Sequence, residues 1–323
     1  MRNFLFILTL LFATTLFARD QIKIVGSSTV YPFATTVAER FGKTSGFKTP
    51  VVESTGSGGG LKLFCAGLGT QHPDITNASR RIKQTEIDNC KKNGIKDITE
   101  VKIGYDGIAI ANSKKGVNFH LSTRDLYLAL AKDVPADING KTVKPNPYKK
   151  WIEINPTYPD LPIMVYGPPP TSGTRDALNE LGIERGCKTY PERKKLKEKN
   201  KELYKSECRA IRTDGAYIEA GENDNLIIEK LITNPDSLGI FGYSFLDENR
   251  DKVKAATING VSPEFELISN GTYPISRSLW LYVKDAHAAV IPGIREYVKE
   301  FTSDRAIGDD GYLIEKGLIP LND

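Results

Sequence analysis

Histidine is nearly missing from this chain. Its three copies, His72, His120 and His287, share no ligand spacing, so a histidine-based zinc site is not expected. Cysteine is scarce as well. Four residues in 323 are too few for a disulfide scaffold, although they suffice for two bridges. There is no C-x-x-C pair and no H-E-x-x-H, which removes two common metal motifs. Charge of one sign is lacking too. Forty-four Lys and Arg against 40 Asp and Glu leave a formal +4, and wrapping nucleic acid needs a strong basic stripe. A small anion is still allowed, because its site needs only two or three cations. Beyond residue 18 nothing is apolar enough to span a bilayer, which takes about 20 residues, so the mature chain reads as soluble. Nucleotide motifs fail in detail. Gly42-Lys43-Thr44 and Gly140-Lys141-Thr142 lack the glycine five places earlier, and Leu61 stands where a dinucleotide fingerprint after Gly56 and Gly58 needs glycine. No G-x-S-x-G elbow supports a hydrolase serine.

What is present suits a globular protein of one large or two ordinary domains. Hydrophobic residues make up 40% and charged residues 26% of the chain. Residues 1–18 read as a signal peptide. Arg2 leads an apolar run from Phe4 to Phe12 broken only by Thr9, and the small Ala18 precedes Arg19-Asp20. Cleavage is expected near Ala18. A membrane anchor is the alternative, but the run is short for one. Export makes the cysteines oxidisable. Pairing Cys65 with Cys90 and Cys187 with Cys208 closes two short local loops and is the expected connectivity; free buried thiols are the alternative.

After the leader, short strand patterns alternate with helical ones. Strands are expected at 21–26, 49–53, around Ile75, at 98–103, 107–111, 161–166 and 278–283. Helices are expected over 31–43, 58–68, 85–92, 122–131 with a capping-box-like start at Ser122 to Asp125, 172–184, 222–232 and 291–301. This alternation argues for a mainly parallel sheet with helices on its faces. The run 192–201 holds six basic residues in ten, but Glu192, Glu198 and Glu202 interleave, so a solvated helix is the expected reading.

Three clusters of small and hydroxylic residues stand at strand-to-helix turns: Gly26 to Pro32, Ser54 to Gly60, and Thr171 to Asp176. Each offers free first-turn N–H groups, hydroxyls and a favourable helix dipole, which together can hold an oxyanion. One such cluster is ordinary capping; three in one chain point to an anion site. Arg80 and Arg175 lie near them, and an arginine fork matches a tetrahedral oxyanion.

The ordered set GSSTVYP, STGSGGG, the Ala-Ser-Arg turn at 78–80 and SGTRD, after a signal peptide, resembles the periplasmic phosphate-binding proteins of ABC importers, the PstS family. The stretches 214–246 and 273–283 look closest to its SphX-like branch. The resemblance covers nearly the whole mature chain. It implies an α/β type II periplasmic-binding fold, with two lobes joined by two crossing strands and the ligand cleft between them. The crossings fall near Tyr105-Asp106 and Ile275-Ser276, giving one lobe of 19–105 plus 276–323 and another of 106–275. By the same resemblance Ser28, Thr29, the N–H of Val30 and Ser57 donate from one lobe. Ser172, Gly173 and Thr174 donate from the other, and Arg80 and Arg175 supply charge. It implies a monomeric, non-enzymatic periplasmic receptor without cofactor, partnered by inorganic phosphate and a membrane permease. A receptor for sulfate or molybdate is the alternative, and a secreted phosphatase a more distant one.

One position departs from the family pattern. Where enterobacterial members have an aspartate that accepts the proton of hydrogen phosphate, this chain has Arg80. Asp176 and Asp214 are the candidate replacements, and Asp214 reads equally as a helix cap or a partner to an arginine. Asp176, two residues inside a helix start, reads as a dipole-favoured surface carboxylate.

Overall fold

Strand and helix alternate from the first described turn onward. The computed structural model describes residues 19–170, 172–221 and 224–321; the expected leader, 1–18, lies outside them. Strands β1 (Lys23–Gly26), β2 (Val51–Ser54) and β3 (Ile75–Ala78) pair in parallel, with β1 in the middle. Helix α1 (Tyr31–Thr44) follows β1 and carries Pro32 in its first turn, where a missing N–H costs nothing. Its buried residues Phe33, Ala34, Val37, Ala38 and Phe41 repeat every three or four positions, so they form one stripe facing inward. Phe41 ends that stripe edge-on against the ring of Tyr297, 5.7 Å away. Helix α2 (Ser57–Phe64) follows β2, α3 (Gln84–Lys92) follows β3, and α4 (Thr123–Leu130) lies further along the chain.

A long strand β4 (Ile98–Ser113) then runs through both halves of the molecule. The sequence pattern suggests two strands, 98–103 and 107–111, but the backbone is continuous. The interruption is a bulge: pairing with the later strand shifts register between Leu279 and Trp280, opposite Gly104, whose φ is +147°. A side chain there would strike the Ile319 carbonyl at 2.6 Å, so glycine is required.

The second half-sheet contains β5 (Val165–Gly167), β6 (Tyr217–Glu219), β7 (Leu238–Gly242) and β8 (Val253–Ala255). β7 and β5, and β5 and β6, are parallel, whereas β7 and β8 pair antiparallel with the end of β4. Strand β9 (Ser276–Lys284) returns antiparallel between β3 and β4. The result is one nine-stranded mixed sheet, in which the parallel pairs sit within each half and the crossing strands are antiparallel. This is the type II arrangement of two α/β lobes joined by crossing strands. The buried cores divide the same way: one large cluster spans Tyr105 to Ile275 with Ile319, and two others hold residues before 104 and after 278.

Both expected disulfides are formed, Cys65–Cys90 and Cys187–Cys208, and the described residues include no free cysteine. The basic run becomes α7 (Pro191–Lys199), continued by α8 (Lys201–Cys208). Three of its six cations have ion-pair partners: Lys197 pairs with Glu184 at 2.8 Å, Lys195 with Glu192 at 2.7 Å, and buried Arg193 with Glu207. No helix among the described residues is long and apolar enough to cross a membrane.

Candidate anion site at the lobe junction

Parallel register brings the carboxyl ends of β1, β2 and β3 to one edge, because Gly26 is level with both Ser54 and Asn77. Open α/β sheets hold ligands at this edge. The three turns leaving it are bonded to one another. Ser27 N–H donates to the Asn77 carbonyl at 3.0 Å, and Thr55 N–H to that of Gly26 at 2.9 Å. Ser79 N–H donates to Ser57 Oγ at 3.0 Å, and the two hydroxyls lie 3.1 Å apart. α2 packs directly on β1: a methyl group on Gly60 would sit 2.4 Å from the Gly26 Cα. That contact explains glycine at position 60, whereas a side chain at Gly58 would meet open space.

The other lobe contributes the turn after β5. Ser172 N–H donates to the Pro169 carbonyl at 3.0 Å, and Ser172 Oγ accepts from Thr174 N–H at 3.2 Å. Ser172 thereby caps α5 (Gly173–Ala177), which runs on through a π-helical segment, 178–183, into α6 (Glu184–Cys187). Arg175 is buried and points beneath this turn. It donates to the Pro168 carbonyl at 3.0 Å, stacks 4.3 Å over the Tyr217 ring, and lies 3.9 Å from Glu219. Burial pushes the Tyr217 phenol up to about 12 despite that cation.

The two sets of turns meet. A methyl group on Gly173 would be 3.0 Å from the Thr29 Cα, so the two backbones are in near contact. Ser28 Oγ donates to Asp176 Oδ2 across the junction. Val30 N–H, at the start of α1, points at Ser27 Oγ, 3.4 Å away. Thr29 Oγ1 accepts from Arg277 Nη2, and the same guanidinium binds Asp106 at 3.1 Å and Glu180 at 2.9 Å. Burial pushes the Asp106 carboxyl up, while Arg277 pulls it down without fully compensating.

The expected residues therefore divide. Ser28, Thr29, Val30, Ser172, Gly173 and Thr174 gather at the junction; Ser57 stands on the same edge, bonded to Ser79; Arg175 supports the turn from below. Arg80 is engaged by both oxygens of Glu86, at 2.7 and 2.9 Å, so its fork is already filled. Asp214 is elsewhere. It pairs with Arg212 at 2.5 Å and Lys149 at 2.8 Å, and those hydrogen bonds, Arg212 first, hold its carboxyl well below the usual range. It precedes β6, whereas the Ser172 turn follows β5, and the two strands run parallel. Asp214 thus lies at the opposite end of the sheet, and its expected role as proton acceptor is withdrawn. Asp176 moves the other way: it faces Ser28 at the junction and is not a free surface carboxylate.

Sequence reasoning missed Arg277, Asp106 and Glu180. The available signal was Arg277 itself, a charged residue just before the apolar run Leu279–Val283, inside the stretch 273–283. Among the described residues no group of three His, Cys, Asp or Glu could hold a metal ion.

Comparison with known proteins agrees with this architecture. A PBP superfamily domain matches residues 13–305. Protein SphX of Synechococcus elongatus is 32% identical over 310 residues, covering 94% of this chain and 78% of the relative. The phosphate-binding protein PstS of Staphylococcus saprophyticus is 28% identical over 291 residues, covering 88% and 76%. The crystal structure of a possible phosphate binding protein from Planctomyces limnophilus superposes with a TM-score of 0.72 at 26% identity over 94% of each chain.

Proposed function

This chain belongs to the PBP superfamily, among proteins of the PstS and SphX type, and from that premise we propose that it binds inorganic phosphate between its lobes and delivers it to a membrane ABC importer. The observation that carries the reading is the convergence of three hydroxyl-rich turns from both lobes on one junction, bridged by Ser28 and Asp176. Helix N-termini and hydroxyls supply donors there, and the relatives are named for phosphate binding. The lobes are taken as 19–105 plus 276–323 and 106–275, moving about β4 and β9. Thr29, Val30, Ser57, Ser172, Gly173 and Thr174 donate to the anion, Ser28 joins them through its backbone N–H because its hydroxyl proton goes to Asp176, and Arg175 holds its turn in place. Asp176 accepts the proton of hydrogen phosphate, the part that Asp214 cannot play. The protein acts as an exported monomeric receptor, cleaved near Ala18, rather than as an enzyme.

A micromolar affinity requires about 8 kcal/mol, within reach of several charge-assisted hydrogen bonds after ordering costs. Calorimetry on the mature protein with phosphate, sulfate and molybdate tests the reading. Tight binding of phosphate with weak competition by the others is expected. Absence of phosphate binding, or a preference for sulfate, refutes it.

A further inference from the structure

We propose that Arg277 is the positioning residue of this anion site and the tie between its two halves; the inference rests on the phosphate-receptor reading above. Arg277 sits on β9 level with Asp106 of β4, where the two crossing strands pair. Its side chain is 7% exposed. A buried guanidinium has five N–H donors and cannot shed its charge, so its environment must be built to satisfy it. Here the partners come from three different parts of the fold. Nε meets Asp106 on the neighbouring crossing strand at 3.1 Å, Nη1 meets Glu180 in the π-helical segment at 2.9 Å, and Nη2 meets Thr29 in the turn after β1. These partners are 171, 97 and 248 residues from Arg277 in the chain.

Asp106 alone would balance the charge. Glu180 is the additional partner; its side chain is 43% exposed, and it lies one helical turn beyond Asp176. What Glu180 adds is a link from the crossing strand to the lobe that carries the Ser172 turn. Thr29 completes the link to the other lobe. A threonine hydroxyl that accepts from a guanidinium has one proton left to give, directed away from the cation, and the bond it accepts polarises it into a better donor. The chain Glu180–Arg277–Thr29 therefore does two things in one arrangement. It holds the lobes together at their junction, and it sets Thr29 as a donor to an oxyanion. Separating the lobes takes Glu180 away from Arg277, so closure and donor orientation are coupled, and an anion that uses the Thr29 donor favours the closed form.

The test uses the mature protein and four variants, Glu180→Gln, Arg277→Lys, Thr29→Val and Thr29→Ser. Phosphate affinity is measured by calorimetry, and compactness by small-angle scattering with and without saturating phosphate. Glu180→Gln, at a partly exposed position that does not endanger folding, is expected to weaken phosphate about tenfold and to enlarge the radius of gyration without phosphate. Arg277→Lys and Thr29→Val are expected to weaken binding further, while Thr29→Ser, which keeps the hydroxyl, stays near wild type. Combining Glu180→Gln with Arg277→Lys should cost less than the two separate losses together, because both cut one link. A residue that merely stabilised the fold would lower the melting temperature of Glu180→Gln and leave affinity and compactness alone. Wild-type affinity and dimensions in Glu180→Gln overturn the inference while leaving the receptor reading intact. If the wild-type protein binds no phosphate, the receptor reading fails, and unchanged dimensions in Glu180→Gln then overturn the tie as well.

Discussion

Replacing Asp176 by Asn isolates the choice between phosphate and sulfate. In the structure Asp176 Oδ2 accepts from Ser28 Oγ, joining residues 148 apart in the chain and on opposite lobes. Both anions carry negative charge into the site, so the repulsion each suffers from the carboxylate largely cancels in a ratio of affinities. What does not cancel is the proton. Hydrogen phosphate has an O–H to donate to Asp176; sulfate near neutral pH has none and leaves the carboxylate facing its lone pairs. A hydrogen bond to a charged group contributes about 1.5–3 kcal/mol, so this one carboxylate should set a preference of about ten- to a hundredfold. Asn keeps the shape but brings an amide N–H₂ that sulfate can use. Asp176→Asn should therefore collapse the phosphate-over-sulfate ratio by that factor, read by calorimetry with both anions at pH 7.5. Asp214→Asn, whose carboxylate is paired with Arg212 and Lys149 at the other end of the sheet, should leave the ratio unchanged. A ratio preserved within about twofold in Asp176→Asn, or lost in Asp214→Asn, refutes the assignment.

Gly60→Ala places a methyl group 2.4 Å from the Gly26 Cα and 2.7 Å from Thr76 Oγ1, forcing α2 off β1. A destabilisation of about 1–3 kcal/mol is expected, seen as a melting temperature lower by several degrees, with weaker phosphate binding because the Ser57 turn moves with the helix. Glu184 gives a pH test. Burial pushes its carboxyl up, but hydrogen bonds from Lys188 and Lys197 and the charge of Arg209 outweigh that, lowering it from 4.5 to about 2. A carboxyl depressed in the folded state contributes stability that is complete above pH 4.5 and is lost as pH falls toward 2. Urea unfolding between pH 6 and pH 2.5 should show this loss, on the order of 3 kcal/mol. Glu184→Gln should be less stable at pH 6 and flatter across that range; an equal slope in both proteins contradicts the assignment.

Much of this was legible locally. Each of the three turns announces itself by small and hydroxylic residues before a helical stripe, since capping and close backbone approach select those residue types at the turn itself. The disulfide partners were legible because each loop is short. The bulge at Gly104 was not, because one strand interrupted by a glycine has the same period as two strands; only pairing with β9 shows it to be continuous. The charged residues were the least legible. Arg80 and Arg175 carry the right chemistry near the right turns, yet Glu86 fills the first and the Pro168 carbonyl and Tyr217 ring hold the second. Arg277 carries no local sign of its partners, which lie 97 to 248 residues away in the chain.

The sequence by itself determined the alternation of strand and helix, the oxidised cysteine pairs and the hydroxyl-rich turns, because capping, periodicity and short loops act over a few residues. The tertiary structure alone decided which charges reach the junction. A guanidinium or carboxylate finds its partner by distance in space, and the partners of Arg277 and Asp176 are brought to them only when parallel register aligns the strand ends and the crossing strands fold the two lobes face to face.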